Sequence, residues 1–133
     1  MTFRILLVDK DDYLLEAHRR FFTKAGFHVD TVASQKDAIP MLLRNRYAAI
    51  VCDLQLSKID GDRQGLELAA AARRLRPGAA FFLLTSDLSG EIARRARSSG
   101  VFLCISKPAP LTFLKDKLDF AIAPERFRHQ AVA

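Results

Sequence analysis

The chain reads as an α/β domain built on a parallel sheet, and three features of its sequence predict this. Short runs rich in Ile, Leu, Val and Phe alternate five times with stretches of helical period. The opening run, Phe3 to Val8, lacks the polar-apolar alternation of a strand with one wet face, which suits a strand covered on both sides. The connections are too long for hairpins, so βα units are specified. With 133 residues, half of them hydrophobic, the chain suffices for one core of ordinary extent. The expected division is a domain over residues 1–123 and a tail over 124–133, polar at first and without clear pattern.

The elements follow in order. After the first strand, Asp9 stops the run, and Leu14, Leu15, Ala17, Phe21, Phe22 and Ala25 recur at helical spacing from Asp12, with acids at the start and Gly26 past the end. Phe27 to Val32 alternates as a second strand. Ser34 with Asp37 three residues on resembles a capping arrangement, and Ala38, Ile39, Met41, Leu42 and Leu43 supply the buried stripe of a second helix. Pro40 within it removes a backbone hydrogen bond and crowds the Lys36 carbonyl, which predicts a helix that is bent, irregular or begun late. Ala48 to Cys52 is the third strand, Leu54 to Gln64 a polar loop with Gly61, and Gly65 to Arg76 a helix closed by Pro77-Gly78. Ala80 to Leu84 and Val101 to Ile105 are strands. Asp87 to Ser99 and Leu111 to Ile122 are the last helices, the final one offering Leu111, Leu114, Leu118, Phe120 and Ala121 to the core.

Charge and composition narrow the function. A net charge of +6 permits weak attraction to anions. The arginines, however, cluster on predicted helices (Arg19-Arg20, Arg73-Arg74-Arg76, Arg94-Arg95-Arg97) without interleaved aromatics, as a solvated face does, and no helix-turn-helix is appended. Nucleic acid is therefore not the expected partner. No apolar stretch approaches the roughly 20 residues of a membrane span, and the start of the chain runs straight into a strand, so the expected location is the cytoplasm. Cys52 and Cys104 lie in apolar runs as small hydrophobes. No Gly-rich phosphate loop or catalytic histidine argues for turnover of a metabolite: His18 falls on a helix, His28 in a strand and His129 in the tail.

Asp9, Asp53, Thr85 and Lys107 each end one of the apolar runs. In a parallel sheet the carboxyl ends of the strands converge on one crevice, where open α/β sheets bind ligands. Two acids, a hydroxyl and an ammonium group meeting there suit the acceptance and holding of a phosphoryl group.

Four segments in register carry a resemblance: Ile5-Leu6-Leu7-Val8-Asp9, Ile50-Val51-Cys52-Asp53-Leu54, Leu83-Leu84-Thr85-Ser86 and Ser106-Lys107-Pro108. With Gly65-Leu66-Glu67-Leu68 after the central Asp, the chain from Arg4 to about Ile122 resembles the receiver domain of bacterial response regulators. The resemblance implies a flavodoxin-like (βα)5 fold with strand order 2-1-3-4-5. One strand then separates Cys52 from Cys104 by about 10 Å, too far for a disulfide. It implies that Asp53 is phosphorylated by a histidine kinase or phosphotransfer protein. It further implies that Lys107, aimed by a cis Lys-Pro bond, contacts the phosphoryl oxygens, and that Thr85 turns toward the phosphoryl group and reports its arrival. The family binds Mg²⁺ through adjacent acids after strand one, the acceptor and a backbone carbonyl, here Asp9, Asp53 and the carbonyl of Gln55. An output protein, and a homodimer through helix 4, strand 5 and helix 5, are the implied contacts.

Three departures bear on that reading. Lys10 stands where the family's direct metal ligand is an acid, which weakens Mg²⁺ binding and offers a cation to pair with Asp53. The alternative is a Lys10 turned to solvent, with Asp11 or Asp12 in the acidic role; the ungapped spacing from Asp9 to Gly26 favours the first. Cys104 replaces the family's aromatic, which swings inward with the hydroxyl, and the loop after Asp53 is longer, with Ser57 in place of proline. Two functions follow: a stand-alone phosphoacceptor that signals by altered protein contacts, or a phosphorylation-independent interaction module with Lys10 in place of the acid. Neither is a conventional enzyme.

Overall fold

The structure, a computed structural model, describes residues 2–123. Strands and helices alternate strictly: β1 Arg4–Val8, α1 Asp12–Lys24, β2 His28–Val32, α2 Gln35–Arg44, β3 Ala49–Asp53, α3 Gln64–Leu75, β4 Ala80–Thr85, α4 Gly90–Ser98, β5 Leu103–Ser106 and α5 Leu111–Ile122. All strands are parallel, in the order β2-β1-β3-β4-β5 that the resemblance implied. The tail predicted over 124–133 lies outside the described residues.

Alternate residues of each central strand feed two cores. Leu6 and Val8 of β1, Ile50 and Cys52 of β3, and Leu83 of β4 pack under α2, α3 and α4 with Ala38, Leu42, Leu66, Ile92 and Ala96. Ile5, Leu7, Val51, Phe82 and Leu84 face the other way, against Leu15, Phe22, Leu114 and Leu118 of α1 and α5. Both faces are dry, which is why the central strands read as unbroken apolar runs. β2, at the edge, is only half-buried, and its sequence alternates accordingly.

Cys52 pairs with Leu83, and Leu83 with Cys104, so β4 separates the two thiols and both are free. Cys52 is buried, but Cys104 is only half-buried, contrary to its reading as an interior hydrophobe. Side-chain caps start three of the five helices. The Asp11 carboxylate accepts from the N–H groups of Tyr13 and Leu14, and the Ser34 hydroxyl accepts from Asp37 N–H. α2 starts directly after Ser34 and runs past Pro40, so it is not begun late. Both Lys36 and Pro40 are exposed, on the side where water can hydrate an unpartnered carbonyl. α4 begins at Gly90, three residues after the predicted start, because Ser89 rather than Asp87 caps it, accepting from Ile92 N–H. Two predicted core residues, Leu43 and Phe120, lie exposed.

Helix α3 is tied to the end of β3 by a close backbone approach. Gly65 N–H donates to the Leu54 carbonyl at 2.9 Å. A Cβ on Gly65 would lie 2.5 Å from the Asp53 carbonyl oxygen and 2.8 Å from Leu54 Cα, both backbone atoms with little room to shift. Gly65→Ala should therefore destabilise the fold by about 1–3 kcal/mol through overpacking, read as a lower urea midpoint. A wild-type midpoint would show that α3 can slide away from β3 without cost.

Candidate functional site

At the carboxyl end of the sheet the backbone ladder continues one residue past the strands and pins the polar positions. Asp9 N–H donates to the Val32 carbonyl, Leu54 N–H to Leu84, and Lys107 N–H to Thr85. Among the described residues, the buried polar side chains are Asp9, Asp53 and Thr85, 5, 5 and 3 % exposed. All three lie at this edge, three of the four positions that sequence pattern placed there. The fourth, Lys107, is half-buried, and its bond to Pro108 is cis.

Asp53 lies between two ammonium groups. Lys107 Nζ is 3.2 Å from Asp53 Oδ1, and Lys10 Nζ is 3.5 Å from Oδ2. Lys10 also donates to the Gln55 carbonyl at 3.1 Å. It is therefore turned inward, while Asp11 is committed to the α1 cap and Asp12 opens that helix. Asp9 accepts from Asp11 N–H at 2.9 Å. Burial pushes the Asp9 carboxyl upward, the Asp11 hydrogen bond pulls against this, and the neighbouring Asp53 charge adds to the rise. The Thr85 hydroxyl is engaged away from Asp53: it accepts from Asp87 N–H at 2.9 Å and donates to the Asp87 carbonyl at 3.2 Å.

These side chains open onto a cavity of about 280 Å³, whose lining includes Lys10, Asp53, Arg63, Thr85, Asp87 and Lys107. Its size, and the Lys10 and Lys107 ammonium groups on its wall, admit a small anion such as a phosphoryl group. Arg63 and Asp87 were not singled out in the sequence, and they meet at 3.8 Å, joining the loop before α3 to the loop before α4. His18 lines a neighbouring, largely apolar cavity with Leu14, Pro108 and Leu114, and Lys107 stands on the wall of both cavities. Burial pushes its imidazole down, and the Lys107 charge acts in the same direction.

The long loop after Asp53 is ordered around Asp62. Its Oδ2 accepts from the N–H groups of Leu56 and Ser57 at 3.0 and 2.7 Å, and its Oδ1 from Gln64 N–H at 2.8 Å. Leu54 and Leu56 are buried, so the arm is packed at its start, while Lys58 to Gly61 at its far end are exposed. The signal available in the sequence was Asp60-Gly61-Asp62, a turn whose acids could fold back on the chain.

A sequence model of the response regulator receiver domain matches residues 5–119. The chain belongs to this family. It is 31 % identical over 134 residues to the transcriptional regulatory protein GlrR of Escherichia coli K12, an alignment covering 96 % of this chain and 29 % of that protein. The chain thus spans less than a third of that relative. It is 24 % identical to a response regulator receiver protein of Anaeromyxobacter, over 85 % of this chain and 46 % of the relative. Among solved structures, a CheY-like receiver domain protein of Methanospirillum hungatei superposes with a TM-score of 0.79 at 26 % identity, covering 91 % of this chain and 97 % of that one. A Burkholderia pseudomallei response regulator with a phosphorylated aspartic acid, calcium ion and citrate gives 0.76 at 23 %, covering 96 % and 71 %. Receiver domains are signalling domains that meet kinases and output domains, and they typically bind Mg²⁺.

The donor set here does not fit that ion as it stands. Two of the three expected oxygen sources, the Asp53 carboxylate and the Gln55 carbonyl, face the Lys10 ammonium, and Asp9 uses an oxygen on Asp11 N–H. Among the described residues no helix is long and apolar enough to cross a membrane.

The Asp62 carboxyl supplies a pH test of the loop. Burial raises it, but hydrogen bonds from the Ser57 side chain and from the backbone of Gln64, Ser57 and Leu56 outweigh that and hold it below the ordinary carboxylate range. Its contribution is present above the unfolded-state value and is lost as pH falls through the lower, folded one. Amide resonances of Leu56, Ser57 and Gln64 should shift together during acid titration, with a midpoint below that of a free aspartate, and Asp62→Asn should remove the transition. Independent or unshifted titrations would show that Asp62 does not organise the loop.

Proposed function

We propose that Asp53 takes a phosphoryl group from a histidine kinase or phosphotransfer protein and that the domain signals by altered protein contacts. The observation that carries this is the pair of ammonium groups on one buried carboxylate, 3.2 and 3.5 Å away, beside a cavity with room for a phosphoryl group. A carboxylate is a weak nucleophile, so transfer depends on position and on cations that offset the charge of the moving group. An Asp53 oxygen bonds to phosphorus as the bond from phosphorus to the donor's imidazole nitrogen breaks, and the electron pair stays on that nitrogen. Lys107 then donates to the phosphoryl oxygens. Thr85 responds by exchanging its Asp87 partners for the new anion, which frees the loop before α4. The contact surface lies on α4, β5 and α5, which would also serve a homodimer. The Lys–Asp pairs hold the acceptor in place without turnover of a substrate, and nucleic acid and membrane insertion have no part in this reading.

One observation favours a second reading, a phosphorylation-independent interaction module. At Cys104 the small side chain lines an open groove with Phe113, Pro110 and Lys117, and position 104 itself carries no aromatic ring to move with Thr85. Intact mass after incubation with a small phosphodonor separates the two. The phosphoacceptor reading expects one added phosphoryl group that Asp53→Asn abolishes. No adduct, repeated with candidate kinases, would overturn it in favour of the module.

A further inference from the structure

The Lys10 ammonium stands between two oxygens that a divalent ion would take, 3.1 Å from the Gln55 carbonyl and 3.5 Å from Asp53 Oδ2. Magnesium demands near-octahedral oxygen ligation at about 2.0–2.1 Å and gives up its waters reluctantly. An ammonium asks for less: a few acceptors at hydrogen-bond distance, with its charge already on the chain. Metal and lysine compete for the same acceptors, and Lys10 is tethered one residue after Asp9, so it meets them at high effective concentration. Its side chain is one-third exposed, which leaves the ammonium reachable from the cavity.

We propose that Lys10 is a resident cation in place of the metal ion, so that Asp53 is phosphorylated without any divalent ion. The inference rests on the reading of Asp53 as phosphoacceptor. One lysine supplies one charge where magnesium supplies two, and Lys107 and Arg63 line the same cavity. Arg63 is paired there with Asp87, so transfer runs on the two lysines that flank Asp53, independent of metal concentration. With phosphoramidate as donor, an Asp53 oxygen bonds to phosphorus, the P–N bond breaks with its electron pair on nitrogen, and that nitrogen takes a proton from water and leaves as ammonia. Lys10 and Lys107 keep their protons and donate hydrogen bonds to the phosphoryl oxygens throughout. The acid that the family has at this position would instead require an ion to offset it.

The experiment incubates the full chain with phosphoramidate in EDTA or in Mg²⁺ and follows the adduct by intact mass. Wild type should form it at the same rate in both, whereas Lys10→Asp should become metal-dependent, slowed about tenfold or more in EDTA. Lys10→Met, which supplies neither cation nor ligand, should be slow in both. Circular dichroism confirms that each variant folds, and Mn²⁺ titration by calorimetry gives a readout without phosphate: saturable binding in Lys10→Asp and none in wild type. A wild-type adduct seen only with Mg²⁺, or wild-type Mn²⁺ affinity equal to that of Lys10→Asp, would overturn the role of Lys10 and leave the acceptor reading intact. No adduct under either condition, repeated with candidate kinases, would overturn the acceptor reading, and this inference with it.

Discussion

Burying a carboxylate at the end of a central strand is costly unless the charge is matched, and the rest of the site is arranged around that constraint. Asp53 comes at the last position of β3, where the ladder to β4 is still paired, opposite Leu84, and holds the backbone that carries the side chain. The match comes from separate parts of the chain: Lys10 from the turn after β1 and Lys107 from the turn after β5. Neither cation is near Asp53 in sequence, so the charge is matched only where β1, β3 and β5 stand in one sheet.

The fold was legible because its signals are local and repeated. Unbroken apolar runs at Leu6–Val8, Ile50–Cys52 and Phe81–Leu84 report strands dry on both faces, and the stop signals at Gly26 and Gly100 mark helix ends where the backbone takes positive φ. Misplaced boundaries have a common cause. Between Thr85 and Gly90, Ser86, Asp87 and Ser89 are all cap-type residues, and which one caps α4 depends on where Thr85 ties Asp87, a tertiary matter. Likewise Phe120 fits the period of α5 but falls outside the arc that meets the sheet.

The site was legible in its residues and less so in its connections. Asp9, Asp53, Thr85 and Lys107 could be assembled on paper because parallel strands bring their carboxyl ends together. The inward turn of Lys10 could only be posed as one of two alternatives, since a flexible four-carbon stem reaches either water or the cavity. Arg63 and Asp87 gave no signal at all. Their meeting depends on how two irregular loops converge, and no periodicity encodes that.

The hydrogen bond from Gly65 to Leu54 has a consequence for how this chain can vary. It closes the arm between β3 and α3 at its base, so the residues from Gln55 to Gln64 form a ring fastened at one clasp. Length added inside such a ring costs little, since closure entropy grows only with the logarithm of its size. The clasp itself keeps β3 and α3 in register whatever the ring contains. Insertions and changes of charge can then accumulate around the mouth of the cavity, altering what enters, while the carboxylate beneath does not move.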